Sequence, residues 1–202
     1  MHAVLDRVVS QISGEVRHLD VDATQLHPKD LPYKWNTQQV IEHLVLGYRM
    51  TTEALETRLK KGRLSRKHRR TYLQWTLQMM TLTFGAMPHG VPALEETEPK
   101  PGGFPAMSGR ELTDLLQREI EVMDSALDAC RRRFGIERVG IHPFLGPLRV
   151  DQWRRFHAVH GSHHLTQLRS VLAQVAPDPV PLKLTRESLV EKLHIPAQRP
   201  LA

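Results

Sequence analysis

Residues 153–168 read WRRFHAVHGSHHLTQL, and the spacing inside that stretch governs how the rest of the chain is read. At about 100° per residue, Trp153, His160, His164, Gln167 and Val171 fall within roughly 40° of one direction, which is the inward face of a helix. That helix is expected over about 150–176, ending ahead of the PDPVP sequence. His160 and His164 project from the same face one turn apart, and i,i+4 geometry lets two imidazoles grip one cation. His157 lies near the stripe one turn earlier and His163 points about 80° away. Both are read as neighbours without a metal role.

Three more long helices are expected upstream. Val4, Leu5, Val8, Val9, Ile12 and Val16 form one apolar face over residues 2–18. A second helix is expected over 37–61, with Asn36 as N-cap behind Trp35 and Gly62 as its stop. The SGRE sequence at 108–111 matches a capping box, and Leu112, Leu115, Leu116, Ile120, Met123 and Leu127 continue at helical spacing, placing a third helix over 109–133. The stretch TYLQWTLQMMTLTFG has mixed apolar spacing and reads as an extra helix. Residues 85–107 hold five prolines and read as a long loop able to cover a site. FGIERVGIHPFLGPLRV reads as a Gly- and Pro-punctuated connector, with no strand alternation of useful length anywhere. The fold class is therefore all-α, an antiparallel four-helix bundle over residues 1–176, followed by an extended tail at 177–202 with one short helix near RESLVEKL.

Composition agrees with helices packing on helices. Only 5 % of the 202 residues are aromatic, so the core is built from Leu, Val, Ile, Met and Ala. No apolar run reaches membrane-spanning length, and the first twenty residues carry charges throughout, which argues for a cytoplasmic protein. Cys130 is the sole cysteine, so no intrachain disulfide forms and any metal must be held by nitrogen and oxygen. The net charge of +6 is concentrated in RLKKGRLSRKHRR at 58–70, where eight of thirteen residues are Lys or Arg. No nucleic-acid motif accompanies them, so nucleic acid is not the expected partner and a solvated helix end is the simpler reading.

A third ligand changes the weight of the His160–His164 pair. On the second helix Val40, His43, Gly47, Met50 and Ala54 share one face, which puts His43 inside. Gly47, one turn on, removes bulk where something else needs room. Each buried imidazole needs a partner for its polar nitrogens, and a shared metal serves all three. Three nitrogen ligands with one open position is the arrangement of a catalytic site. Gln167 is read as a supporting or substrate-contacting group, His142 as a turn residue and Cys130 as a packed thiol. Glu42 is read as pointing off the inner stripe and is not assigned as a base.

The chain resembles the DinB/YfiT-like metalloenzyme superfamily. WNTQQVIEHL and HGSHHLTQL carry the resemblance, together with HPFLGPLRVDQW, which is similar to the lead-in of an uncharacterised subgroup with an HPxxGxL pattern. The resemblance implies a four-helix bundle in which His43, His160 and His164 bind a divalent ion, zinc or nickel. Some relatives are thiol-dependent, so it further implies an enzyme that activates water or a low-molecular-weight thiol for attack on a small substrate, a thiol transferase or hydrolase, and homodimers are common among such bundles. The alternative class is a non-catalytic metal-binding or stress-related module whose basic segment, with Arg66, Lys67, Arg69 and Arg70, meets an anionic partner.

Overall fold

The computed structural model describes residues 1–29, 31, 33–63, 70–87, 90 and 92–175. The chain is mostly helical. In order it forms α1 (Ala3–Val16), α2 (Val21–Gln25), α3 (Thr37–Lys61), α4 (Tyr72–Gln78), a π-helical turn (Met79–Thr83), a 3-10 turn (Glu95–Thr97), α5 (Gly109–Phe134), β1 (Arg138–His142), β2 (Gly146–Arg149) and α6 (Val150–Val175). The expected tail and its short helix lie outside the described residues, as does the 176/177 boundary.

The long helices begin and end where their caps dictate. Asn36 accepts from the Gln39 amide while Gln39 reaches back to the Asn36 amide, and Ser108 and Glu111 close α5 in the same reciprocal way. Gly62 ends α3 with φ 63°, a left-handed conformation that costs glycine nothing. The apolar faces of α1, α3, α5 and α6 meet in one core: α3 lies on α5 and α6, and α1 lies on α5 and α6. Two glycines let backbones approach closely. A Cβ on Gly161 would meet Val8 Cγ1 at 2.5 Å, and one on Gly109 would meet the Val16 carbonyl oxygen at 1.8 Å.

A buried ion network fixes how α6 sits. Arg154 Nε donates to Asp124 Oδ1 at 2.7 Å, its Nη2 reaches Asp128, and the backbone amide of His2 takes the other Asp124 oxygen at 2.7 Å. One carboxylate of α5 thereby ties α6 to the start of α1.

Three expectations need correction. The 134–150 connector contains an antiparallel hairpin, β1 with β2, so the fold is helical with a small two-stranded sheet. Its strands are five and four residues long, and a register irregularity between Arg138 and Gly140 breaks the period-2 signature that alternation relies on. Between α1 and α3, where the sequence DVDATQLHPKDLPYKW with its two prolines reads as turns and no helix is expected, the chain forms a short helix, α2, capped by Asp20. The 71–85 stretch splits into α4 and the π-helical turn, and its mixed spacing has a reason: the residues it buries are Gln78 and Thr81, while Leu73, Met80 and Phe84 are exposed. Gln78 Nε2 donates to the Leu145 carbonyl at 2.8 Å, which pins this segment to the hairpin.

Candidate metal centre

His43 leaves α3 and His160 and His164 leave α6, all three buried. His160 Nε2 lies 3.1 Å from His43 Nε2 and 3.0 Å from His164 Nε2, and one ligand nitrogen from each ring lies within 4.8 Å of the others. The outer nitrogens of His43 and His164 are occupied. His43 Nδ1 bonds the Thr97 carbonyl at 2.8 Å and His164 Nδ1 bonds Gln167 Oε1 at 2.8 Å. Both acceptors call for a proton on Nδ1, so both Nε2 atoms present lone pairs to the cluster. His160 Nε2 stands between them, and a single proton there satisfies one neighbour at most.

Electrostatics keeps the rings neutral. Burial lowers the pKa of His43, against the bond to Thr97. Burial, then the adjoining His164, drives His160 well below the ordinary 6.5. His164 falls to about 3, first through burial and then through His43. Neutral imidazoles with converging lone pairs are what a divalent cation requires. A tetrahedral ion with Zn–N near 2.05 Å sets its nitrogens about 3.3 Å apart, close to the two separations observed.

The triad opens on a cavity of about 1030 Å³. Trp35 covers the His43 ring at a centroid distance of 5.1 Å, and Phe156 stacks on His160 at 5.4 Å. A Cβ on Gly47 would meet nothing within 4 Å, so the glycine forms an open part of the cavity wall.

Thr97 was not a candidate from sequence. It acts through its backbone carbonyl, which any residue supplies, and no residue-type signal marks it; the 85–107 loop thus does reach the site, through its 3-10 turn. Glu42, read as pointing off the inner stripe, is buried all the same, because α3 is covered on more than one side. Its carboxylate accepts from Gln38 Nε2 at 2.7 Å, and burial raises its pKa. Cys130 is buried, as expected of a packed thiol. His142 holds its turn by accepting from the Phe144 and Leu145 amides. Of the basic segment, Arg58 reaches the Val139 carbonyl and Arg70 the Gln78 side chain, whereas Arg66, Lys67 and Arg69 lie outside the described residues.

Residues 11–171 match the family described as a protein of unknown function, DUF1569. The chain belongs to this family. The matched span contains the whole triad, the cavity-facing Gly47 and the loop that supplies Thr97. No curated protein and no solved structure matches the chain.

Proposed function

We propose that this DUF1569 chain is a DinB-like antiparallel four-helix bundle that binds one divalent ion, zinc or nickel, through His43, His160 and His164. One observation carries the reading: three buried Nε2 atoms converge, two of them held as lone-pair donors by Thr97 and Gln167. The pairing of α1, α3, α5 and α6 around one core supports the bundle. The adjoining cavity favours an enzyme over a closed structural site, since a structural ion is fully enclosed by protein ligands and three histidines leave a position free.

Bound there, a divalent ion supplies Lewis acidity toward water or a low-molecular-weight thiol. The chain's own residues do the rest. Thr97 and Gln167 orient the ligand rings, Trp35 and Phe156 shield them from solvent, and the cavity admits a small substrate. The reaction proposed is thiol transfer or hydrolysis in the cytoplasm. No helix among the described residues is long and apolar enough to cross a membrane.

Elemental analysis of purified protein tests this reading. About one divalent ion per chain is expected, falling to background in the doubly substituted His43→Ala, His160→Ala protein. A metal content unchanged by those substitutions overturns the assignment.

A further inference from the structure

The segment formed by α4 and the π-helical turn is amphipathic in the reverse of the usual sense. The residues that it buries are Gln78 and Thr81. Gln78 Nε2 donates to the Leu145 and Pro147 carbonyls at 2.8 and 3.3 Å, and its side-chain oxygen accepts from Arg70. The outer side is apolar. Tyr72, Trp75 and Met79 follow at i, i+3 and i+7, which is one stripe of a helix, and Leu73, Met80 and Phe84 widen it. All six are exposed, Tyr72 by 82 %, Phe84 by 74 % and Leu73 by 66 %. The Tyr72 and Trp75 rings stand 5.9 Å apart between centroids. Single exposed apolar side chains are ordinary, whereas six within residues 72–84 make a patch, and such patches mark contact sites.

The charge along this part of the chain has one sign. From residue 57 to residue 94 there are eight Lys or Arg and no Asp or Glu. Two cations are fixed to the segment itself: Arg70 by its bond to Gln78, and Arg155 of α6, whose Nε donates to the Leu82 carbonyl at 3.2 Å. Both are exposed, as are Lys61 and Arg63. We infer that this face docks on an anionic phospholipid surface, lying on the bilayer and not through it. Leu73, Met79, Met80 and Phe84 enter the acyl boundary, Tyr72 and Trp75 take the headgroup level that suits rings with one polar edge, and the guanidinium groups meet lipid phosphates. Other occupants answer only half of the surface. A nucleic acid satisfies the cations and leaves the aliphatic and Phe84 side chains without apolar cover. A second copy covers the apolar stripe and sets like charges against one another across a two-fold axis. Residues 177–202 carry four Lys or Arg against three Asp or Glu, so they bring no net negative charge either. The inner side of the segment, at Leu77 and Thr81, walls the cavity, so docking holds the cavity next to lipid. The face includes none of the triad histidines and stands whether or not they hold an ion.

Flotation of full-length protein with vesicles tests the inference, comparing phosphatidylcholine alone with a mixture of phosphatidylcholine and phosphatidylserine. Binding to the mixture is expected to be at least tenfold tighter, and to weaken as salt is raised. Trp75 emission, read as the difference between the native protein and Trp75→Phe, should move to shorter wavelength on the mixed vesicles and be quenched by brominated acyl chains. The triple variant Tyr72→Gln, Leu73→Gln, Phe84→Gln alters exposed side chains only, so its melting temperature should be unchanged while vesicle affinity falls at least tenfold. If the triple variant does not fold, Phe84→Gln alone should lower the affinity, and quenching of Trp75 in the native protein still decides. Several results overturn the docking face: no flotation with either vesicle, equal binding to both, full binding by the triple variant, which would leave the cations alone as the contact, or Trp75 emission untouched by brominated lipid. A dimer in sedimentation velocity that the triple variant dissociates, in a native protein that does not float, would assign the face to a second copy instead.

Discussion

Gln167 contributes one oxygen to the centre, and that oxygen fixes which nitrogen of His164 is free. Replacing Gln167 with Leu keeps the volume and removes the acceptor, so the ring loses its preferred tautomer and orientation. Metal affinity should fall about 10–100-fold in competition with a chromophoric chelator, with little change in melting temperature. His142 predicts an acid response of definite sign. Its pKa drops from 6.5 to about 4 on folding, through burial, so the unfolded chain takes up the proton first. Stability from this group is complete above pH 6.5 and is lost as pH falls from 6.5 toward 4, by about 3 kcal/mol in total. Urea unfolding of chelator-treated protein at pH 7 and pH 4.5 should show the loss. The His142→Asn protein, which keeps an acceptor for the turn amides, should show a smaller difference between the two pH values.

Among the elements, α6 carries the most. It provides two histidines of the triad and, through Arg154, the anchor to α5 and the amide of His2. Asp124→Ala would leave the buried Arg154 guanidinium with Asp128 alone and the His2 amide without its acceptor, and a cost of about 1–3 kcal/mol is expected in chemical denaturation. The long helices were legible by an apolar stripe, and α3 and α5 a second time by their caps: Asn36, Gly62 and Ser108 mark ends that the structure places within a residue or two of expectation. The hairpin, α2 and the π-helical turn were not legible. Each is short, and each is held by contacts from distant segments, as Gln78 of α4 holds the Leu145 carbonyl.

For the molecule as a whole, the cavity between α3, α6 and the 85–107 loop is the feature that separates a site from a mere cluster of histidines. Gly47 tests it. Gly47→Leu should place a side chain in open cavity space, leaving one metal per chain by elemental analysis while weakening binding of a small thiol such as 2-mercaptoethanol at least tenfold by calorimetry. Periodicity alone put His43, His160 and His164 on inward faces, because helical angle is a local property set by 3.6 residues per turn. What periodicity could not supply is the closing distance between histidines 117 residues apart in the chain, or the backbone carbonyl of Thr97 that sets a tautomer. Nor could it show that Glu42 is covered from a second side, or that Thr51 of α3 meets His157 Nε2 of α6. Spacing along the chain determines which face a side chain takes. Only the packing of those faces determines what it meets, because burial and hydrogen-bond partners belong to pairs of segments and not to either one.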